Sequence, residues 1–133
     1  MKKLLVTGFD PFNGNTANPS WLTAQALPQR VGEFEVHKLQ LPTVYGQAAQ
    51  MVMDFAATLQ PDVILCLGLA GGRAAVTPER VGINIRSASI PDNAGQLFSG
   101  TPILPQGENA LMTSLPVHRM VEAIRAKEIP AWL

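Results

Sequence analysis

Leu59-Gln60-Pro61-Asp62-Val63-Ile64-Leu65-Cys66-Leu67-Gly68 is the stretch on which the fold turns. Ahead of it, Val44, Ala48, Val52, Phe55 and Leu59 recur at intervals of four, four, three and four, which stacks them on one helical face. Pro61-Asp62 stops that helix. Val63 to Leu67 is then apolar without alternation, the pattern of a strand covered on both faces. A helix running straight into such a strand predicts one step of an open parallel sheet.

Upstream the same grammar repeats. Leu4-Leu5-Val6 forms an apolar run ended by Thr7-Gly8 and a turn-rich loop from Asp10 to Asn15, the reading of a buried first strand and an ordered loop. Asn18-Pro19-Ser20 signals a helix start, with Trp21 to Leu27 filling a short helix before Pro28. Glu35 to Leu41 alternates like a strand and is closed by Pro42. Downstream, Arg80 to Ile85 fits a further strand weakened by Gly82, and Pro91 to Gly107 is mostly loop with Gln96-Leu97-Phe98 as a brief extended piece. Val117, Met120 or Val121, and Ile124 mark a late helix ended by Ile129-Pro130. The order predicts an α/β fold, an open and mostly parallel twisted sheet flanked by helices. Ala131-Trp132-Leu133 falls where a next strand should begin, so the expectation is one domain over 1–133, incomplete at its carboxyl end and the amino-terminal part of a longer one.

The chain's 133 residues suffice for one domain with a real core. With 47% hydrophobic residues, 15% charged residues and no formal net charge, it reads as globular rather than disordered. No basic tract invites nucleic acid, and no run approaches the roughly 20 apolar residues of a membrane span. The lone Cys66 excludes an internal disulfide and fits a reducing compartment, so a cytoplasmic location is expected.

Candidate site residues each carry two readings. Cys66, flanked by Leu65 and Leu67, reads as a small core residue rather than a nucleophile. His37 and His118 read as surface or half-buried, and nothing local brings either to Cys66. The two histidines, one cysteine and scattered carboxylates make no metal-ligand spacing. Gly68-Leu69-Ala70-Gly71-Gly72 follows a strand, so its N–H groups could hold an anion or a carbonyl oxygen, or its glycines could simply allow a tight turn. Phe9 and Phe12 stand in a loop at the carboxyl end of a strand, where open α/β sheets place ligands. They could wall a small flat apolar ligand or pack the loop on the sheet. Glu79, behind Pro78 and ahead of an apolar run, could orient an imidazole or could pair with Arg80 or Arg73.

Taken together, Val6-Thr7-Gly8-Phe9-Asp10-Pro11-Phe12, Asn18-Pro19-Ser20, Leu39-Gln40-Leu41-Pro42-Thr43, Gly68-Leu69-Ala70-Gly71-Gly72-Arg73, Thr77-Pro78-Glu79-Arg80-Val81, Ile90-Pro91-Asp92-Asn93 and Leu115-Pro116-Val117 resemble, in order, the motifs of the pyroglutamyl peptidase I (pyrrolidone-carboxylate peptidase) family. That resemblance implies a cysteine peptidase that releases amino-terminal pyroglutamate from peptides without metal or organic cofactor. It casts Glu79 as the carboxylate that orients the catalytic histidine, Phe9 and Phe12 as the rings that sandwich the pyrrolidone, and Ile90 as a lesser wall. The family's cysteine and histidine match no residue here and are expected beyond position 133. Leu69 stands where many bacterial members carry glutamine. Ser87-Ala88-Ser89 stands where many carry Asp-Ala-Arg, with Arg86 shifted three positions. The competing expectation is a catalytically silent α/β module or inactive homologue. Expected partners are pyroglutamyl peptides, with no nucleic acid and no membrane. Homo-oligomerisation stays open.

Overall fold

The computed structural model describes residues 1–133, which divide into two compact units. The first comprises Met1–Leu69 with Ser89–Leu97, the second Ala70–Ala88 with Phe98–Leu133.

The first unit contains β1 (Lys2–Phe9), α1 (Pro19–Ala26), β2 (Arg30–Val31), β3 (Phe34–Leu41), α2 (Gln47–Leu59) and β4 (Val63–Cys66). Its sheet runs β2-β3-β1-β4, with β3, β1 and β4 parallel and the short β2 antiparallel on β3. The predicted α/β class, mostly parallel sheet and flanking helices are thus present, and β2 is an addition. β1 is central and is buried from Leu5 to Gly8. The chain leaves β1 for β3 on one side and then crosses to β4 on the other, so β1 is the topological switch point of the sheet. With right-handed crossovers, that reversal sends α1 and α2 to opposite faces.

Side chains follow that rule. Val6 and Val36 form a core cluster with Ala24 of α1, with Leu4, Trp21, Leu65 and Leu67 packed against it. On the other face, Lys3 Nζ donates to Leu59 O of α2 at 3.1 Å, and Lys3 and Leu39 line a groove with Met51 and Phe55. Gly8 marks the closest approach of α1. A Cβ there would lie 2.7 Å from Ser20 O and from Trp21 N and Cα, so only glycine lets this helix cross the strand.

Local chemistry sets the helix ends. Asn18 caps α1, its Oδ1 accepting from Ser20 N at 3.0 Å, a contact of a type contributing about 1 kcal/mol. α2 begins at Gln47, later than the apolar stripe predicts, because Gly46 takes a left-handed φ of 83°.

Two sequence expectations fail at β4. Its burial alternates, so it is covered on one face only: Ile64 and Cys66 are exposed, and Cys66 is not a core residue. In the parallel register Val63 and Leu65 sit opposite Leu4 and Val6 and share the α1 side, while Ile64 and Cys66 share the side of Leu5 and Thr7. There α2 packs mainly on β3.

The second unit holds β5 (Val81–Ile83), β6 (Arg86–Ser87), β7 (Ser99–Thr101), β8 (Ala110–Met112) and α3 (Val117–Arg125). The strand expected over Arg80 to Ile85 exists as β5, but it pairs antiparallel with β8 instead of extending the parallel sheet. β7 pairs antiparallel with β6 just past the piece expected to be extended. α3 buries Val117 and Val121, as its stripe predicts. Ala131 makes a single parallel bridge to Val76 and is buried. No helix is long and apolar enough to cross a membrane.

Candidate active site

At the carboxyl end of β1 the chain enters the loop Phe9-Asp10-Pro11-Phe12, both rings half-buried. The loop turns at Asn13 and Gly14, whose φ values of 54° and 75° are left-handed, and inside it Asn15 N donates to Phe12 O at 3.1 Å. Its root is fixed by α1. Ser20 Oγ accepts from Phe9 N at 2.9 Å and donates to Asn18 Oδ1 at 2.8 Å, while Asn18 Nδ2 donates to Asp10 O at 3.0 Å. The Asn-Pro-Ser signal therefore does two jobs, starting a helix and anchoring the aromatic loop.

Two further segments of the same unit converge there. Thr43, past the end of β3, donates from N and from Oγ1 to Asp10 Oδ1, both at 2.8 Å. Asn93 Nδ2 donates to Pro11 O at 2.9 Å and to Asp10 Oδ1 at 3.2 Å, and its N donates to Thr43 O at 2.9 Å. Ile90, 39% exposed, belongs to this 89–97 segment. The structure thus ties the segment bearing Ile90 to the loop bearing Phe9 and Phe12, at the switch point of the sheet.

Asp92 holds the 89–97 segment in shape. Its carboxylate accepts from Tyr45 N at 2.8 Å, Gln96 N at 2.8 Å, Ala94 N at 3.0 Å and Gln96 Nε2 at 3.1 Å. Desolvation raises the pKa of this carboxyl, but the hydrogen bonds from Tyr45, Gln96 and Ala94 together outweigh it and leave the value below the ordinary one. Asp10, Thr43, Asp92 and Asn93 received no individual role from sequence, because their partners lie far along the chain. The only local sign was a turn-forming Pro-Asp-Asn-Ala-Gly run.

Glu79 lies in the second unit and is exposed. Neither alternative ion pair forms: Lys2 pairs with Glu33, His37 lies against Glu35, and Glu79 meets neither Arg73 nor Arg80. Arg73 Nη1 instead donates to Thr77 Oγ1 at 2.9 Å, and Arg80 lines a cleft of about 250 Å³ with Thr113, Val117 and His118. Glu79 is bracketed by the Val76–Ala131 bridge before it and β5 after it, so its backbone is held while its carboxylate stays uncommitted. Arg86, which could have replaced the arginine absent at Ser89, is engaged elsewhere. Its guanidinium lies 3.8 Å from the centre of the Phe98 ring and its Nε donates to Thr101 Oγ1 at 3.1 Å.

Exposure of Cys66 removes burial as the reason it is no nucleophile, but the sheet supplies another. His37 is in register with Leu5, and Cys66 with Thr7 two residues on and one strand beyond. Two strand spacings and two residue rises separate their backbones by on the order of 12 Å, far beyond thiol–imidazole contact. His37 Nε2 meets Glu35 Oε1 at 2.5 Å. His118 is exposed in the second unit. In the glycine-rich turn Gly72 has a φ of 80° and Arg73 N donates to Ala70 O at 3.2 Å, so glycine serves the turn there. No group of three or more His, Cys, Asp or Glu side chains is placed to hold a metal ion.

The profile of the pyroglutamyl peptidase family matches residues 2–133. The chain is 46% identical over 129 residues to a pyrrolidone-carboxylate peptidase of Levilactobacillus brevis, covering 97% of this chain and 63% of that one. A pyrrolidone-carboxylate peptidase of Enterococcus faecalis is 43% identical over 129 residues, covering 97% and 61%. The crystal structure of Bacillus amyloliquefaciens pyroglutamyl peptidase I superposes with a TM-score of 0.94 at 44% identity, covering 99% of this chain and 65% of that one. An A199P pyrrolidone carboxyl peptidase of Pyrococcus furiosus superposes at 0.93 with 35% identity, covering 98% and 63%. The chain therefore spans a little over three fifths of the length of these relatives. Motif order, switch-point loop, sheet and matched profile agree, and the chain belongs to the pyroglutamyl peptidase family.

Proposed function

We propose that this chain is the amino-terminal part of a single peptidase domain that releases amino-terminal pyroglutamate from peptides by cysteine catalysis, with the thiol and the imidazole supplied from outside residues 1–133. Family membership across residues 2–133 carries this reading. The flat lactam lies between Phe9 and Phe12 with Ile90 as a lesser wall. Thiolate attack on the carbonyl that joins pyroglutamate to the next residue gives a tetrahedral intermediate, and the histidine protonates the leaving amine as that intermediate collapses to an acyl-enzyme. Water then releases pyroglutamate and restores the thiol. Glu79 accepts from the imidazole and holds its tautomer, a role for which a held backbone and an unpaired carboxylate are suited. The residues within 1–133 act without metal or organic cofactor, and the single unpaired thiol fits a cytoplasmic setting.

Leu69, Ser87 and Ser89 favour a second reading, a catalytically silent homologue that keeps the loop without the chemistry. One assay separates the two. The 133-residue chain, alone and joined to the carboxyl-terminal part of the Levilactobacillus relative, is offered a pyroglutamyl chromogenic substrate. Hydrolysis by the joined protein and none by the chain alone supports the peptidase. Absence of hydrolysis by a folded joined protein supports the silent homologue.

A further inference from the structure

We infer that Asp10 is a positioning residue for the lactam site, its Oδ1 atom serving as the common acceptor that sets the Phe9–Phe12 loop against the 89–97 segment. The inference rests on the proposed substrate class for what the loop binds, but its structural half stands on hydrogen bonds alone.

The aromatic loop does little to shape itself. Between Phe9 and Asn15 its one internal backbone bond is Asn15 N to Phe12 O at 3.1 Å. Everything else that fixes it comes from outside, and most of that passes through the residue between the two rings. Asp10 N donates to Leu41 O at 2.9 Å, extending the β1–β3 ladder one residue past the strand. Asp10 O accepts from Asn18 Nδ2 at 3.0 Å. Asp10 Oδ1 then gathers Thr43 N and Thr43 Oγ1 at 2.8 Å and Asn93 Nδ2 at 3.2 Å.

Because Asn93 Nδ2 has two hydrogens, its second donation, to Pro11 O at 2.9 Å, clamps the peptide that leads into Phe12. One carboxylate oxygen therefore joins three stretches of chain 33 and 83 residues apart, and removing it leaves Thr43 N–H without its acceptor and the Asn93 side-chain amide with only Pro11 O. A pocket that grips a flat ring between two side chains needs those side chains set before the ring arrives. Otherwise binding must also order the loop.

All three donors converge on one oxygen, so geometry and not full charge is what the site demands of residue 10. Asp10→Asn, with its amide oxygen turned to that position, keeps the acceptor. Asp10→Ala removes it.

The test uses the 133-residue chain and 2-pyrrolidone as probe, followed by chemical-shift titration, together with amide hydrogen exchange at Asn15 and Asn93. Expected are a loss of lactam affinity of about tenfold or more in Asp10→Ala and recovery to within about threefold of the parent in Asp10→Asn. Exchange at Asn15 and Asn93 should quicken by about tenfold in Asp10→Ala while the β1 amides Leu5 and Thr7 stay protected. Equal lactam affinity in parent and Asp10→Ala, or Asp10→Asn as weak as Asp10→Ala, overturns the positioning role. Should the parent chain fail to bind 2-pyrrolidone, the substrate reading of the loop fails in this chain, and exchange decides the rest: unchanged rates at Asn15 and Asn93 in Asp10→Ala overturn the inference, and quickened rates support it.

Discussion

The two units carry different kinds of order. The first is built around a strand with no exposed residue from Leu5 to Gly8, and its candidate site is cross-linked by side-chain hydrogen bonds spanning up to 83 residues of sequence. The second buries little beyond Val117, Val121 and Ala131, and every residue of β5, β7 and β8 is exposed. Phe9 and Phe12 sit on the first kind of order, and Glu79 on the second. A loop fixed by hydrogen bonds from distant segments thus coexists with a carboxylate whose backbone is held and whose oxygens make no ion pair, an arrangement that the proposed function uses for binding and for orienting an imidazole respectively.

Stability measurements test the contrast most heavily. Leu5→Ala should cost about 3 kcal/mol, since Leu5 is fully buried beneath the sheet's α2 face, whereas Ile83→Ala, at 58% exposure in β5, should cost under about 1 kcal/mol. Urea unfolding followed by circular dichroism reads both, and equal losses would break the distinction. Gly8→Ala comes next. Its added methyl meets the backbone of Ser20 and Trp21, which cannot move without shifting α1, so a loss of about 2 kcal/mol is expected in the same experiment, and a neutral result would contradict the close crossing.

Acid sharpens the comparison further. The Asp92 carboxyl is lowered in the folded state, so its contribution is present above the unfolded value of about 4 and is lost as pH falls through the folded-state value. Amide shifts of Tyr45, Ala94 and Gln96 should move together on acidification below pH ~4, and Asp92→Asn should abolish that common titration. A common titration above the ordinary carboxylate range would reverse the sign. The smallest effect concerns Cys66. Its exposure predicts modification by a thiol reagent in the folded protein with little change in stability, and protection until unfolding would return Cys66 to the core.

How much of this was legible depended on whether the cause was local. β1, α1 and α2 were readable because apolar runs, a cap and a 3.6-residue stripe sit in consecutive residues. The second face of β4 was not. The same apolar run serves a strand covered on one face or two, and only the position of α2 over β3 decides that Ile64 and Cys66 stay exposed. β5 was found but its pairing was not, because its antiparallel partner β8 lies in a stretch with no alternation to mark it. At the candidate site, Phe9 and Phe12 stood out as rings in a loop after a strand, whereas the roles given to Glu79 and Ile90 came from resemblance. Asp10, Thr43 and Asn93 were invisible as a group, because a polar loop residue announces nothing about an acceptor 33 or 83 positions away.

Division of binding and chemistry between the two units is tested most directly by steady-state kinetics of the chain joined to the carboxyl-terminal part of a relative, comparing Phe12→Ala with Glu79→Gln on a pyroglutamyl chromogenic substrate. The account predicts that Phe12→Ala chiefly raises KM, by about tenfold or more, with kcat little changed, and that Glu79→Gln lowers kcat by about a hundredfold or more with KM little changed. Normal turnover in Glu79→Gln, or a loss in Phe12→Ala confined to kcat, would contradict it.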